Sequence, residues 1–209
     1  MINSISVKMI RGISSVKENS CYAVSIIQCL RRSIGLELFS DVDDIISRIS
    51  GKPEDAHEYY DELISKLPPD VREQIILQVE DDTTKEPKHW TNHIRFTSDL
   101  EKLCSNILEH RNVICVYRNG VFDRNTCQGG ISSIDIHKCM ILGLRSKHGM
   151  DRMRACAFVC GVPGHYYALV SDPQYSDRSL NAWLICDGPT VRPSNTWIHP
   201  VYMIFYSRI

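Results

Sequence analysis

The chain has 209 residues, of which 43% are hydrophobic and 23% charged, and its formal net charge is −1 at pH 7. This composition is typical of a folded globular protein and argues against a disordered chain. The near-neutral charge gives no general attraction to nucleic acid or to an anionic membrane, so we expect neither as a partner. No apolar stretch reaches the roughly 18 to 20 residues that a membrane-spanning helix needs, and the N-terminus lacks the apolar core of a secretory signal. At this length a single domain over residues 1–209 is the default interpretation.

The chain contains nine cysteines, an odd number, and their spacing shows no disulfide framework. Reduced thiols in a cytoplasmic location are therefore expected. There is no C-x-x-C pair, so we predict no zinc site and no other metal. Cys156 and Cys160, in the alternating stretch "ACAFVC", are predicted to pack in a core.

The first half of the sequence has helical periodicity. From Tyr22, apolar residues recur at the i, i+3, i+4 spacing of an amphipathic helix, and Asn19 and Ser20 are good capping residues just before it. Pro53 fits the first position of a later helix. The predicted helices cover residues 22–34, 41–50, 53–67, 69–80 and 98–110.

The second half changes to short runs rich in β-branched and aromatic residues. The predicted strands cover residues 112–118, 121–123, 133–137, 138–144, 154–160, 165–171, 182–186 and 201–207. Asn119-Gly120 predicts a hairpin between the first two. Helices followed by strands indicate an α+β protein, with a helical lobe over 12–110 and a β lobe over 111–209. The polar stretch 80–93 is predicted to be a mobile surface segment or a junction between subdomains.

Cys21 stands at the predicted start of the first helix. A buried structural thiol is the commoner case for a cysteine. A helix N-terminus and a nearby imidazole, however, both lower a thiol's pKa, and the free N–H groups of the first turn can stabilise an oxyanion. The motif alone leaves both interpretations open.

His165 is the histidine best placed to be its partner. It follows a Pro-Gly turn and opens a strongly strand-like run, and Gly164 beside it would let a substrate backbone pass close. Its separation from Cys21 matches the papain-like Cys…His order. The other seven histidines fit surface or capping positions, and His165 itself remains open to a simple turn interpretation.

Asp187 ends the next predicted strand. If that strand pairs with the one that begins at His165, the carboxylate comes alongside the imidazole and can orient it. The alternative is that Asp187-Gly188-Pro189 forms only a turn.

Several segments in order resemble the ubiquitin-specific protease family of papain-like deubiquitinases. "ENSCYAVSIIQCL" is similar to the family's cysteine box, and "EDAHEYYDELISKL" to its Q-D-A-x-E-F helix. "GHYYALV" and "WLICDGPTV" resemble the histidine box and the W-x-x-x-D-D segment, and "VYMIFYSRI" resembles the closing strand. The resemblance runs from residue 12 to residue 209. It implies a papain-like cysteine protease fold with a thumb-like helical lobe and a palm-like antiparallel β lobe.

The resemblance also implies site residues. Cys21 would be the nucleophile, His165 the general base and acid, Asp187 the residue that orients it, and Asn19 an oxyanion donor. The extended C-terminal tail of a ubiquitin-like substrate would be bound by a second group: Asp55, His57, Gly161, Gly164 and Tyr166. No cofactor or metal is implied.

The chain departs from the family at three features. Val16 stands where an oxyanion-hole asparagine is usual, Gly188 replaces the second aspartate of the D-D pair, and the zinc-bearing fingers are absent. Such a minimal form also resembles papain-like proteases embedded in the polyproteins of some positive-strand RNA viruses.

The expected function is a thiol-dependent ubiquitinyl hydrolase. It would cleave isopeptide or peptide bonds after the Gly-Gly end of ubiquitin or a ubiquitin-like modifier, such as ubiquitin's interferon-induced relative. Ubiquitinated host proteins would then be its substrates. Two alternatives stay open: a viral protease that mainly cleaves its own polyprotein, and a catalytically impaired ubiquitin-binding module.

Overall fold

The computed structural model describes residues 12–14, 19–34, 55–75, 77–80, 87–91, 94–95, 107–109, 113–117, 122–123, 128–129, 133–146, 149–172 and 180–208. It is an α+β structure in which strands predominate after residue 76. None of the helices in these ranges is long and apolar enough to cross a membrane. Within the same ranges no group of three or more His, Cys, Asp or Glu side chains is arranged to hold a metal ion.

Among the described residues, three α-helices precede the main sheet: α1 (Cys21–Ile34), α2 (Ala56–Lys66) and α3 (Pro69–Arg72). The first two confirm the predicted helices there, although the predicted start at Pro53 lies outside the described residues. Helix α2 is capped by Asp55, whose side chain accepts a hydrogen bond from the backbone N–H of His57. The predicted helix over 41–50 also lies outside the described residues.

The helical predictions over 69–80 and 98–110 are wrong at their C-terminal ends. The first helix stops at Arg72, and Leu77–Glu80 forms a strand instead. Ile107–Glu109 is a strand that pairs with it. Short apolar runs suit either structure, so their periodicity alone does not separate helix from strand.

Fifteen strands are described. They are β1 (Leu77–Glu80), β2 (Pro87–Thr91), β3 (Ile94–Arg95), β4 (Ile107–Glu109), β5 (Val113–Tyr117), β6 (Phe122–Asp123), β7 (Gln128–Gly129), β8 (Ile134–Asp135), β9 (Ile141–Ser146), β10 (Gly149–Val162), β11 (His165–Ser171), β12 (Trp183–Asp187), β13 (Thr190–Pro193), β14 (Ile198–His199) and β15 (Val201–Arg208). The main sheet has the order β13-β12-β11-β10-β15-β5-β3, and β9 also pairs with β10. Its described pairs are antiparallel except β3 with β5.

Two predictions about connections are changed by this pairing. The hairpin predicted at Asn119-Gly120 is not the pairing found, because β5 pairs with β15 and β3 while β6 pairs with β7. The turn residues themselves lie outside the described ranges. The polar segment 80–93 includes β2, which pairs with β1. The boundaries of the helical lobe over 12–110 and the β lobe over 111–209 stay predictions.

The main sheet is covered on both faces. Helix α1 packs on one face, and every residue from Tyr22 to Leu30 is buried there. On the other face, a second core cluster includes Ile136 and Cys139 of a short 3-10 helix (Ile136–Cys139). Cys156 and Cys160 are buried in these layers, which confirms their predicted core positions. The start of β11 meets the N-terminus of α1 through the hydrogen bond of His165 with Cys21, and the end of β12 lies beside His165 through Asp187.

Candidate active site

Cys21 is the first residue of α1 and is partly exposed. The helix begins with the hydrogen bond from the Val24 N–H to the Ser20 carbonyl, so the N–H groups before it have no intrahelical partner. Asn19, just before, has a φ of 58°. Asparagine tolerates this left-handed conformation better than most residues, and it turns the chain sharply into the helix. The thiol therefore stands at the start of the helix, partly exposed, directly before the buried stretch from Tyr22 to Leu30.

His165 and Asp187 are brought together by the pairing of β11 with β12. Ala168 pairs with Cys186 in an antiparallel register, which sets the start of β11 beside the end of β12. His165 Nε2 lies 2.7 Å from Asp187 Oδ1, a short charge-assisted hydrogen bond. The side chains are 42% and 45% exposed, so the pair is open to a substrate. The strand pairing anticipated from the sequence is the one that forms.

The electrostatics of the site favour a thiolate–imidazolium pair. Burial raises the pKa of the Cys21 thiol, but the hydrogen bond with His165 and backbone hydrogen bonds with Tyr166 and Tyr22 outweigh it, so the pKa falls below its ordinary value. The hydrogen bond with Cys21 raises the pKa of His165 to about 9, against the opposing effect of burial and with help from Asp187. Asp187 occupies Nε2, so Nδ1 is the ring nitrogen left for the thiol. The two groups titrate as a coupled pair.

Buried cysteines elsewhere in the structure behave in the opposite way. Burial raises the pKa of Cys156 to about 11 and that of Cys186 to about 12. Burial also raises the pKa of Cys29, which lies in the same helix as Cys21. Because the thiolate is the reactive form, Cys21 is the described thiol whose surroundings favour nucleophilic attack.

Asp55 lies in a buried network beside the site. Its carboxylate oxygens accept hydrogen bonds from the Tyr202 hydroxyl at 2.7 and 2.8 Å, and a longer one from Tyr166 at 3.4 Å. The His57 N–H donates to it at 2.8 Å. The side chain is 7% exposed. Its role in holding a substrate tail stays a prediction, but the structure shows that Asp55 also ties α2 to β11 and β15.

The remaining tail-binding candidates lie around the same edge. The His57 side chain faces Asp61, with Nε2 3.5 Å from Oδ2. Gly161 is buried and donates its N–H to the Pro200 carbonyl at 2.9 Å. Gly164 is exposed with a φ of 74°, a conformation that favours glycine in the turn before His165. Binding roles for these residues remain predictions.

Sequence reasoning missed two contributors. One is Tyr202, the principal donor to Asp55. The other is Gly12, which begins a segment lying against the turn after Asp187, where the Ile13 N–H donates to the Gly188 carbonyl at 2.8 Å. The resemblance of "VYMIFYSRI" to a closing strand could have pointed to Tyr202. Nothing in the sequence pointed to Gly12.

The two family departures at single residues have different outcomes. Gly188 has a φ of 56°, so its replacement of an aspartate suits a left-handed turn. Val16 lies outside the described residues.

No protein-family model and no curated protein matches the sequence. Solved structures match by fold. The Ubp8-Sgf11-Sgf73-Sus1 SAGA DUB module aligns with a TM-score of 0.55 and 11% identity, covering 96% of this chain and 68% of that chain. The Ubp8/Sgf11/Sus1/Sgf73 module bound to ubiquitin aldehyde aligns with a TM-score of 0.57 and 12% identity, covering 100% and 72%. An essential yeast splicing factor aligns with a TM-score of 0.60 and 12% identity, covering 96% and 69%.

These likenesses show the fold. The chain has the papain-like fold of ubiquitin-specific proteases. The predicted fold class, α+β with a papain-like arrangement, is thereby confirmed. At such low identity the fold carries no specific activity with it, because one fold hosts several functions.

Proposed function

We propose that the protein is a cysteine protease that cleaves after the C-terminal Gly-Gly of ubiquitin or a ubiquitin-like modifier. The observation that carries the proposal is the arrangement of Cys21, His165 and Asp187. The Cys21 thiol, at the N-terminus of a helix and with a lowered pKa, would be the nucleophile. The His165 imidazole, with a raised pKa, would be the acid–base group, and the Asp187 carboxylate, 2.7 Å from it, would orient it. The similarity in fold to a DUB module that was solved with bound ubiquitin aldehyde supports the choice of substrate.

The reaction proceeds in two steps. The Cys21 thiolate attacks the terminal glycine carbonyl carbon, and the electron pair moves to the oxygen, near the backbone N–H groups at the start of α1. As the oxyanion collapses, the C–N bond breaks and the leaving amine takes the proton of the His165 imidazolium. His165 then removes a proton from water, which attacks the thioester and releases the carboxylate and the Cys21 thiolate. Asp187 keeps the imidazole oriented throughout.

The tail of the modifier would lie between β11 and α2. Gly164 presents no side chain beside the imidazole, so a narrow Gly-Gly end can reach the thiol. Asp55, Tyr166 and Tyr202 form a wall whose hydroxyl and carboxylate groups are already ordered by one another. An ordered wall reduces the entropy that binding an extended peptide has to overcome.

The test is labelling with ubiquitin that carries an electrophilic C-terminus, with the interferon-induced modifier's equivalent in parallel. Reduced wild-type protein should form a one-to-one adduct with at least one of them, and Cys21→Ala should form none. Cys139→Ala, which removes a buried thiol outside the site, is the matched control and should label as wild type does. If the wild type forms no adduct with either probe, the proposal fails.

Asp187 tests the mechanism separately. Asp187→Ala should lower kcat by about 10²- to 10⁴-fold, the range for a group that orients a catalytic histidine, while leaving ubiquitin affinity largely intact. Loss of affinity and turnover together would instead assign Asp187 a role in supporting the fold.

A binding module without hydrolysis is the second candidate. The fold also occurs in a protein described as an essential splicing factor, so this architecture does not by itself imply a protease. Tight ubiquitin binding with no adduct and no turnover would support that function. Cleavage of a Gly-Gly junction within a viral polyprotein would use the same acyl site, and a peptide spanning such a junction tests it alongside ubiquitin.

A further inference from the structure

A cavity of about 340 Å³ adjoins the His165–Asp187 pair. Its walls include Tyr167, Ile185 and His199 as well as the pair itself. Its volume lies within the range of pockets that bind small ligands or single side chains. The cavity plays no part in the reaction steps described above.

The cavity lies on the face of the sheet opposite to α1. Successive residues of a strand point to opposite faces. Tyr166 packs in the cluster around α1, whereas Tyr167 and Ile185 belong to the cluster on the other face. Asp187 has the same parity in its strand as Ile185. His165 has the same parity as Tyr167 and lines this cavity, while its hydrogen bond with Cys21 links it to the start of α1.

One wall of the cavity is held by a buried network. His199, expected from the sequence at the surface, is 2% exposed. The Tyr167 hydroxyl lies 3.0 Å from His199 Nδ1, and His199 Nε2 lies 3.0 Å from both the Ser194 hydroxyl and the Thr196 carbonyl. The carbonyl can only accept, so Nε2 carries the proton and Nδ1 accepts from the tyrosine. These bonds fix the shape of the wall before any substrate arrives.

The rim of the cavity combines apolar and cationic groups. Val162 and Ile198 both line it and are 41% and 53% exposed. Arg192, also exposed, lines it and forms no ion pair with a carboxylate among the described residues. Exposed apolar side chains beside a preformed pocket are typical of a site that contacts another chain.

We propose that this cavity receives an apolar side chain from the leaving chain, and that Arg192 favours an acidic residue next to it. The inference rests on the proposed function, in which the acyl half of the substrate lies on the α1 face. The leaving amine receives its proton at His165, so the chain attached to that amine has to continue past the imidazole. The cavity adjoins His165 on that path, and its apolar rim and the Arg192 guanidinium, which forms no ion pair with a described carboxylate, match such a segment.

The test uses ubiquitin extended at its C-terminus by short peptides. Leucine or serine is placed at each of the first three extension positions in turn, with glutamate or lysine beside it. Each kcat/KM is divided by the same variant's rate of labelling with electrophilic ubiquitin, which has no leaving chain and reports the acyl side alone. The wild type should prefer leucine at one position by about tenfold, the discrimination that a small apolar pocket provides.

Variants assign that preference to the cavity. Ile198→Ala should reduce the leucine preference to about threefold or less, while Ile141→Ala, a similarly exposed isoleucine away from the cavity, should retain it. Arg192→Glu should reverse the glutamate-over-lysine preference, a change of about two- to fivefold at an exposed site.

The outcomes are distinguishable. An absence of leucine preference in a wild type that labels normally would overturn the inference and leave the proposed function standing. Equal loss of the preference in the two isoleucine variants would also overturn it. A wild type that does not label at all would refute the proposed function itself.

Discussion

We expect Gly12→Ala to perturb the candidate active site from a segment that contains none of the proposed catalytic residues. A Cβ atom at Gly12 would lie 2.1 Å from the carbonyl oxygen of Pro189 and 2.3 Å from its carbonyl carbon. These are backbone atoms in the turn that directly follows Asp187, so no flexible side chain can give way. Either the segment that leads into α1 or the turn has to move.

The size of the movement follows from the contact distance. Real Cβ atoms essentially never approach other heavy atoms within 3.0 Å, so the clash requires a shift of about 1 Å. Overpacking of this kind costs about 1–3 kcal/mol, which for a chain of this length lowers Tm by about 2–12 °C. A displacement of about 1 Å in a catalytic group can lower turnover by about 10²-fold. Because Asp187 adjoins the displaced turn, we expect the loss of kcat/KM to be far larger than the loss of stability implies.

The assay measures kcat/KM on a ubiquitin substrate and Tm on the same preparations. Gly188→Ala is the matched control, because its φ of 56° costs about 1–2 kcal/mol for an alanine while the nearest atom to its Cβ is 3.9 Å away. It should lose stability with much less loss of activity. Ser14→Ala, at an exposed position in the same segment, should change neither.

Two results would refute this reasoning. If Gly12→Ala loses stability but keeps wild-type kcat/KM, the contact between the segment and the turn does not position Asp187. If Gly188→Ala loses as much activity as Gly12→Ala, the effect comes from general weakening of the turn and not from the clash.

Three further predictions concern the site. The hydrogen bond with Cys21, together with Asp187 and against burial, raises the pKa of His165 from 6.5 to about 9, so kcat/KM should fall as the pH rises through about 9. The contribution of the charged imidazole to folding stability should be complete below pH 6.5 and lost as the pH rises through about 9. If the pH dependence of kcat/KM is the same in Asp187→Asn as in the wild type, this account is contradicted. Tyr202→Phe removes the main hydrogen-bond donor to the buried Asp55 carboxylate and should cost about 1–3 kcal/mol in denaturant unfolding, whereas an unchanged midpoint would show that the bond contributes nothing. Limiting iodoacetamide at pH 7 should modify Cys21 before any other described cysteine, as read by peptide mass spectrometry, and equal modification of a buried one would contradict the lowered pKa.

The arrangement of the candidate triad followed from the sequence because it depends on short-range signals. Capping residues and helical periodicity placed Cys21 at a helix start. The period-two runs after His165 and before Asp187 predicted two strands, and adjacent strands in sequence commonly pair. Once these strands pair, the Asp187 carboxylate lies next to the His165 imidazole. The structure then supplied the distance and the electrostatics.

Contacts between distant segments did not follow from the sequence. Tyr202 reaches Asp55 across 147 positions, and no local pattern encodes that pair. Gly12 has no room for a side chain because the Pro189 carbonyl passes beside it. That contact arises from tertiary packing, and no local sequence pattern indicates it. The strands at Leu77–Glu80 and Ile107–Glu109 depend on each other for their hydrogen bonds, so reading either one alone favoured the wrong structure.

The burial of α1 decides which part of the site is free to adapt. Every residue from Tyr22 to Leu30 is enclosed, so the helix has no side on which it can slide or rotate without breaking its packing. Cys21, fixed to its first turn, is therefore a stationary reference point. The exposed turn at Pro163 and Gly164 has no such enclosure, and it carries His165 at its end. Under the proposed function, adjustment of the site to a substrate tail is therefore expected at His165, whereas Cys21 stays fixed on the buried helix.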